Sequence, residues 1–459
     1  MAEFNYDDAS SRFKAICEPI TEAMTQHQVP GVALGIVCGG HEFTAGFGVT
    51  NVDHPLPVDE NTLFQIGSTT KTFTATAVMR LVNLVALDLD QPIRTYLPNF
   101  VMKDPIATER VTMRHLLTHT GGWEGDYFED TGDGDDALSR YVALMAELPQ
   151  LTPLGSTWSY NNAAFTLAGR VIEAVTGKTY EAALKELVLR PLGLKRSLLF
   201  PAEVMVHGFA VGHAVIGGKP FVLRPWRLPR AATPAGGIAA STKDQLRYAR
   251  FHLGDGTAED GTRVVSRESM TAMQTPAVPG PLDITMGLSW WTTDAGGPRR
   301  VSHGGGTWGQ LSTFTMVPER KFALTMMTNS MNGGLVMRGA VRAALKEFAG
   351  IVEPEPVQIP MSAAQLAEYA GRYTNLLADT EITVGDDSLV VQTIPKGGFP
   401  TRNTKAFGPP PPPTRFAFVG ADRIAMVEPP MSELQGEFLR NPDGSIAWFR
   451  FGGRVRGRE

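Results

Sequence analysis

The sequence predicts an α+β fold, in which an antiparallel sheet is flanked by helices and carries a helical insertion, followed by a small antiparallel β-barrel. Strand-like segments near residues 32–49 and 310–328 enclose a mainly helical middle, so strands from both ends of this region are expected to share one sheet. After residue 361, short strand-like segments recur at even spacing, which is typical of a small barrel. Of the 459 residues, 43% are hydrophobic and 19% are charged, so the chain can bury a substantial core.

The first elements are predicted to be a helix and a hairpin. Apolar side chains recur at helical spacing over residues 10–28. Two short apolar runs follow, at 32–38 and 42–49, and they are separated by Gly39 and Gly40. Apolar runs on either side of a glycine pair predict a β-hairpin.

The helical middle begins with a predicted helix over residues 68–87 and includes a second helix over 164–175, where the apolar positions form one stripe. Strand character returns after residue 285. The runs 310–317 and 321–328 predict another hairpin, and residues 337–348 predict a closing helix.

A domain boundary is predicted where residues 353–361 are rich in proline and glutamate, a composition typical of an extended linker. It divides the chain into a first domain, 1–352, and a barrel domain, 362–459. The five prolines at 409–413 predict a stiff loop inside the barrel. The predicted barrel strands are 381–384, 389–394, 416–419, 423–427, 437–440 and 447–451.

Composition excludes several classes of protein. Lys plus Arg count 42 and Asp plus Glu count 47, and this balance disfavours a nucleic-acid binder. Two cysteines cannot form a disulfide framework or a cysteine-based zinc site. The acidic N-terminus does not resemble a signal peptide, and no run of about 18 apolar residues predicts a membrane span. We therefore expect a cytoplasmic protein without a membrane or nucleic-acid partner.

The first motif that indicates chemistry is Ser68-Thr69-Thr70-Lys71. Residues three apart on a helix share a face, so the Lys71 amine can activate the Ser68 hydroxyl as a nucleophile. The free N–H groups of a helix N-terminus would favour the developing alkoxide. The alternative is a helix cap with a solvated lysine. The tetrapeptide at Ser11 and Lys14 has the same pattern, but only Ser68 follows a strand-like segment and a glycine.

Two further segments offer polar groups to such a nucleophile. Tyr160 near a lysine ammonium would be driven towards phenolate and could serve as general base or proton donor, while the amide of Asn162 could orient Lys71 or a substrate carbonyl. The alternatives are a buried tyrosine and an asparagine cap. In 303–306 (His-Gly-Gly-Gly), the N–H of Gly306 could form an oxyanion hole together with the N–H of Ser68, and the alternative is an ordinary glycine-rich loop.

Ser68/Lys71, Tyr160/Asn162 and His303/Gly305, in this order, resemble the motifs of the penicillin-recognising serine hydrolases, which include class C β-lactamases, D-Ala-D-Ala carboxypeptidases, esterases and D-aminopeptidases. The resemblance covers residues 10–350. Supporting segments lie at 114–122, 190–194 and 234–237. Residues 366–373 also resemble the start of the lipocalin-like domain that follows many such hydrolases.

This resemblance implies an acyl-enzyme mechanism, in which Ser68 attacks a carbonyl, Lys71 and Tyr160 share the proton transfers, and no cofactor is needed. Family members that bind a carboxylate commonly have lysine where this chain has His303, and a mostly neutral imidazole holds a carboxylate more weakly. Hydrolysis of a small ester, amide or short peptide is therefore favoured over β-lactamase or carboxypeptidase activity. A non-catalytic penicillin-binding sensor is a further alternative, and a homo-oligomer is left open.

Other features are weaker. Trp123 and Trp308 adjoin glycines in motif-bearing loops, so they are candidates for the wall of an apolar pocket, although ordinary packing explains them equally well. His115 and His119 are four residues apart, but the glutamate of the zinc-protease pattern is missing and we predict no metal site. The acidic run 126–136 lacks the spacing of a calcium loop and predicts a solvated loop.

Overall fold

The structure is a computed structural model that describes residues 5–428 and 434–459. Within these ranges the helices are α1 (Tyr6–His27), α2 (Thr70–Asn83), α3 (Pro105–Arg110), α4 (Met113–Leu117), α5 (Ala137–Leu144), α6 (Asn162–Thr176), α7 (Tyr180–Leu184), α8 (Pro201–Val204), α9 (Thr233–Gly236), α10 (Thr242–Leu253), α11 (Arg267–Gln274), α12 (Gly333–Ala344) and α13 (Ala363–Ala367).

The strands of the first 350 residues form one large sheet and two small ones. They are β1 (Gly31–Cys38), β2 (His41–Gly48), β3 (Phe64–Gln65), β4 (Ser197–Leu198), β5 (His213–Ile216), β6 (Lys219–Val222), β7 (Ala239–Ala240), β8 (Val278–Pro279), β9 (Thr285–Met286), β10 (Trp291–Thr293), β11 (Arg300–Gly306), β12 (Leu311–Val317) and β13 (Phe322–Thr328). The large sheet has the order β2-β1-β13-β12-β11-β10-β9-β8.

Strand β1 pairs antiparallel with β13, with Ala33 opposite Met327, so the two ends of this region meet in one sheet as predicted. Side chains alternate between the two faces of a strand. Val32 and Leu34 of β1 therefore lie in the core beneath α1 and α12, whereas Ala33 and Val37 lie in the larger core beneath the helical insertion. Because both faces of the sheet are covered, β1 and β13 are almost wholly apolar.

The predicted helices are present with shifted ends. Asn161 caps α6 by accepting a hydrogen bond from the N–H of Ala164, and Gly177 ends it in the left-handed region. The helix predicted over 68–87 is instead a 3₁₀ turn, Gly67–Thr69, followed by α2. Helix α2 ends at Asn83 because Val85 adopts a φ of 57°, a conformation that no helix interior accommodates.

The C-terminal strands close into a small antiparallel barrel, as predicted, and this barrel has eight strands. They are β14 (Gly371–Thr374), β15 (Ala378–Val384), β16 (Leu389–Pro395), β17 (Thr414–Gly420), β18 (Arg423–Met426), β19 (Gln435–Arg440), β20 (Ile446–Phe451) and β21 (Arg454–Arg458). Two of these strands were not predicted: β14, which has four residues, and β21, in which arginine alternates with other residues. The prolines at 409–413 lie exposed in the connection between β16 and β17.

The division of the chain at residues 353–361 stays a prediction, although this segment carries no helix or strand and joins the sheet region to the barrel. In the described residues, no helix combines the length and apolar character that crossing a bilayer requires.

Candidate active site

Ser68 lies at the entry to α2, inside the 3₁₀ turn. Gly67 begins this turn with a φ of 49°, and a side chain there would meet the backbone nitrogen of Gly306 at 2.5 Å. The turn therefore requires glycine on both counts, backbone conformation and space. As a result, the end of β11 lies directly against the backbone that presents Ser68.

Lys71 is completely buried, and its ammonium nitrogen has three partners. Nζ lies 3.1 Å from Oγ of Ser68, 2.7 Å from Oδ1 of Asn162 and 2.8 Å from the carbonyl oxygen of Ala235. The Ser-x-x-Lys pair is thus in hydrogen-bonding contact, and the lysine is not solvated.

Burial also controls the protonation of Lys71. Desolvation holds the pKa of Lys71 well below its usual value, the positive charge of Arg454 lowers it further, and the carboxylate of Asp126 opposes both. The carbonyl of Ala235 and Oδ1 of Asn162 can only accept hydrogen bonds. When Lys71 is neutral, its two N–H groups are used by these acceptors, and its lone pair faces the hydroxyl of Ser68.

Tyr160 is 5% exposed and lies beside the same pair. Lys71 Nζ is 4.9 Å from the centroid of its ring, and the phenol interacts with the Ser68 hydroxyl. Burial raises the pKa of Tyr160 above its usual value, while the interaction with Ser68 and the charge of Arg454 only partly oppose this effect. The expectation that a lysine ammonium drives Tyr160 towards phenolate is therefore corrected: its surroundings favour the protonated phenol.

Asn162 is the first residue of α6, and its amide faces two groups. Its Oδ1 accepts from Lys71, and its Nδ2 donates to Oδ1 of Asp126 at 2.6 Å. Asp126 is 3% exposed and accepts a second hydrogen bond, at 2.7 Å, from Nε of Arg454 on β21. A chain of contacts thus runs from Ser68 to an arginine of the barrel.

The glycines of β11 lie close to the nucleophile's backbone. A side chain on Gly305 would meet the carbonyl oxygen of Ile66 at 1.9 Å and the nitrogen of Ser68 at 2.8 Å. Gly306, the next residue, is exposed at the strand end. The sequence pattern indicated that these glycines allow close approach of a substrate, whereas at Gly305 the approaching group is the backbone of the chain itself.

His303 lies behind Tyr160 and not on the cavity wall. It is 1% exposed, its Nδ1 lies 2.6 Å from the carbonyl oxygen of Gly304, and its ring stacks on Trp291. Burial, reinforced by the charge of Lys71, lowers the pKa of His303 to about 3. The imidazole is therefore neutral at physiological pH.

A cavity of about 580 Å³ opens beside Ser68, between the helical region and the barrel. The two tryptophans expected on its wall require correction. Trp123 is 1% exposed in the main core, and Trp308 packs against Phe399, which itself lines the cavity. The aromatic wall is formed instead by Phe128, Trp158, Trp291 and Phe399.

The hairpin that joins β20 to β21 reaches into this site, a contact that the sequence did not predict. The carbonyl of Gly453 accepts a hydrogen bond from the N–H of Tyr160 at 2.8 Å. The Arg454 guanidinium lies 4.5 Å from the Tyr160 ring centroid. The only local signal was Gly452-Gly453 followed by alternating arginines, a pattern that also occurs on solvated strands.

The acidic run 126–136 divides in two. Asp130, Asp133 and Asp135 are exposed on the loop, as predicted, but Asp126 is buried and faces Asn162. Nδ1 of His119 accepts from the N–H of Asn161 at 3.0 Å. Among the described residues, no group of three or more histidine, cysteine, aspartate or glutamate side chains is placed to hold a metal ion.

The arrangement combines four chemical capacities: a hydroxyl at a helix N-terminus, a buried amine in contact with it, a protonated phenol beside it, and glycine backbone at its other side. An adjacent amine activates a hydroxyl as a nucleophile, and backbone N–H groups stabilise an oxyanion. Acyl transfer is the reaction class that uses all four.

Comparison with known proteins identifies a family and similar chains. The family profile described as "Beta-lactamase" matches residues 18–347. "Penicillin-binding protein 4" of Amycolatopsis lactamdurans is 34% identical over 359 residues, which are 76% of this chain and 94% of that protein.

Two solved proteins extend the similarity through the barrel. The crystal structure of SurE has a TM-score of 0.73 and 26% identity and covers 98% of this chain and 100% of its own, and a structure of SurE with D-Leu has a TM-score of 0.72. The octameric penicillin-binding protein homologue from Pyrococcus abyssi has a TM-score of 0.66 and 24% identity, with 96% of this chain and 99% of its own covered.

Proposed function

This chain belongs to the beta-lactamase family, and we propose that it is a serine hydrolase that acts through an acyl-enzyme on esters or amides, as an esterase or aminopeptidase. The observation that carries the proposal is the contact of 3.1 Å between Lys71 Nζ and Ser68 Oγ, inside a site where burial lowers the pKa of the amine.

In the proposed acylation, Ser68 Oγ attacks the carbonyl carbon of the substrate, and its proton passes to the lone pair of Lys71. Of the two candidates, Lys71 is the one able to accept the proton. Burial lowers the pKa of Lys71 and so favours its neutral amine, whereas burial raises the pKa of Tyr160 and so keeps its phenol protonated. The oxyanion is held by the N–H groups of Ser68 and Gly306.

The leaving group then takes a proton from the phenol of Tyr160, which is reprotonated by the ammonium of Lys71. A water molecule next attacks the ester carbonyl, and its proton passes to Lys71. Ser68 Oγ then leaves and takes this proton back from the Lys71 ammonium. Each step moves one proton between neighbouring groups of this cluster.

The proposed substrate carries no carboxylate next to the scissile bond. The cavity wall is largely apolar, and each of its two arginines, Arg450 and Arg454, is already paired with a buried carboxylate. His303 is neutral and buried, so it supplies no positive charge for a substrate carboxylate. The similar protein SurE has been solved with D-Leu, which supports including D-aminoacyl compounds among the substrates tested.

A β-lactam or a D-Ala-D-Ala peptide is the second candidate substrate, favoured by the similarity to a penicillin-binding protein at 34% identity.

We also propose that copies of this chain associate, since the homologue from Pyrococcus abyssi is octameric. Sedimentation velocity at several protein concentrations tests this association, and a single monomeric species at every concentration would refute it.

The test of the proposed function is labelling with a fluorophosphonate probe. We expect labelling of the wild type at Ser68 and none of Ser68→Ala. The chain offers a matched control in Ser11→Ala, because Ser11 begins the same four-residue pattern but lies exposed on α1, and this variant should label like the wild type. Labelling that persists in Ser68→Ala would refute the assignment.

A substrate panel then separates the classes: p-nitrophenyl esters, D- and L-aminoacyl amides, and nitrocefin. Turnover of esters or amides with slow or absent nitrocefin hydrolysis is the expected result. Faster hydrolysis of nitrocefin would favour the second candidate. Stable labelling of Ser68 without turnover of any class would favour the non-catalytic sensor.

A further inference from the structure

Asp126 is a buried carboxylate that belongs to none of the three sequence motifs. It is 3% exposed, its Oδ1 accepts from Nδ2 of Asn162 at 2.6 Å, and its Oδ2 accepts from Nε of Arg454 at 2.7 Å. A charged group is retained in such a position when its neighbours depend on it or compensate it.

The chemistry of the carboxylate fixes the orientation of its neighbour. An ionised carboxylate only accepts hydrogen bonds, so the amide of Asn162 must turn its Nδ2 towards Asp126. Its Oδ1 is then forced towards Lys71, at the observed 2.7 Å. With an obligate acceptor there, an N–H of Lys71 is committed to Asn162, and the lone pair of the neutral amine is left for Ser68.

The barrel supplies the charge that balances Asp126. Besides the bond of 2.7 Å, Nη2 of Arg454 lies 3.4 Å from Oδ1 of the carboxylate, so the guanidinium grips both oxygens. The two charges act in opposite directions on Lys71, since Arg454 lowers its pKa and Asp126 raises it.

We propose that Asp126 is a positioning residue, which orients Asn162 and thereby aims the lone pair of Lys71 at Ser68, and that Arg454 of the barrel completes this device by neutralising Asp126. The inference rests on the proposed function, because it concerns the activation of the same nucleophile. It makes the barrel a part of the proton-transfer site as well as of the cavity wall.

Other titratable groups face the same space and must be considered in any pH profile. None of them is replaced in the variants below, but the charges of Asp126 and Arg454 also act on the pKa values of several of them, so the profiles are compared for the direction in which the acid limb moves. Besides Arg454, the groups around Asp126 and Lys71 are Tyr160 before α6, His119 after α4, His303 on β11, Glu124 beside Asp126, and Arg456 on β21.

The test is the rate of fluorophosphonate labelling of Ser68 as a function of pH, measured on the full chain. This rate reports attack by Ser68, which needs neutral Lys71, and therefore falls on the acid side of the pKa of Lys71. Asp126→Asn removes a negative charge, so the acid limb should move to lower pH, while the plateau rate falls about tenfold because Asn162 is no longer held by a charge-assisted hydrogen bond.

Arg454→Gln should shift the acid limb in the opposite direction, to higher pH, because a positive charge is removed. Arg454→Lys keeps the charge and should keep the limb near its wild-type position, although the lysine cannot grip both carboxylate oxygens. If the ion pair had a merely structural role, both substitutions, Asp126→Asn and Arg454→Gln, would lower stability. They would not move the acid limb of the labelling profile in opposite directions.

Glu437→Gln is the matched control. Glu437 is also a buried carboxylate paired with a barrel arginine, with Oε1 2.8 Å from Nε of Arg450, but its other partner is the N–H of Leu282. This variant should leave the position of the acid limb unchanged, even if its thermal midpoint falls.

The outcomes separate the two proposals. If the wild type is not labelled at Ser68, the proposed function fails. If the wild type is labelled but the acid limb of the labelling profile stays in place in the Asp126 and Arg454 variants, or moves in the same direction in both, only the positioning role is refuted. Should Asp126→Asn fail to fold, the comparison of Arg454→Gln with Arg454→Lys decides, because equal limbs in these two variants would refute the role.

Discussion

Gly305→Ala tests whether the backbone of β11 presses against that of the nucleophile turn. A Cβ at this position would lie 1.9 Å from the carbonyl oxygen of Ile66, whereas ordinary contact begins at 3.4 Å. The difference, 3.4 − 1.9, means that the backbone must move by about 1.5 Å. Overpacking of this kind typically costs about 1–3 kcal/mol in the free energy of unfolding. A displacement of about 1 Å in an active site can reduce the rate about 100-fold.

The labelling rate of Ser68 with a fluorophosphonate measures this effect, and we expect it to fall at least about 100-fold. Gly304→Ala is the matched control, one residue earlier on the same strand, where the nearest atom would be the carbonyl oxygen of Ser312 at an ordinary 3.5 Å. A Gly305→Ala protein that labels as fast as the wild type, or a Gly304→Ala protein that is impaired equally, would refute the reasoning.

Three further predictions follow from the site. Lys71→Met should reduce the labelling rate by about 10³-fold, because it removes the proposed base, and a loss below tenfold would argue against that role. Tyr160→Phe should lower the turnover of p-nitrophenyl esters less than that of aminoacyl amides, because the amine leaving group needs a proton more, so equal losses in kcat for both would contradict the proposed donor role. Burial, together with Asp126, raises the pKa of Glu124 from 4.5 to about 7. The protonated form therefore stabilises the folded state at low pH, and a contribution of about 3 kcal/mol should be lost as the pH rises from about 4.5 to 7. Urea unfolding across this range should show the loss in the wild type but not in Glu124→Gln, and identical slopes for the two would refute it.

The sequence predicts those parts of the fold that depend on residues close together along the chain. The hairpins around residues 39–40 and 318–320 combine apolar runs with turn residues, and both pair as predicted. Ser68 and Lys71 lie one helical turn apart, so their contact follows from spacing alone. Strand β21 was not predicted because its alternating residues are arginines and not the apolar side chains that indicate a strand.

The rest of the site depends on contacts that no local pattern reveals. Asp126 and Arg454 are 328 positions apart, and their ion pair exists only when the barrel packs against the helical region. Asp126 looks like part of an acidic loop until its burial is known. For Tyr160, the pKa direction depends on whether desolvation or neighbouring charge is stronger, and only the structure shows that desolvation is stronger.

The hydrogen bond from Tyr160 to the carbonyl of Gly453 has a consequence for engineering. A chimaera that received a foreign barrel would exchange one wall of the substrate cleft and the counter-charge of the proton relay in the same step. Grafting only the turn at 452–454 would be a narrower operation, since that tripeptide carries both the carbonyl and the guanidinium. Selectivity and pH optimum in this architecture would then be inherited together, through three residues far downstream of the nucleophile.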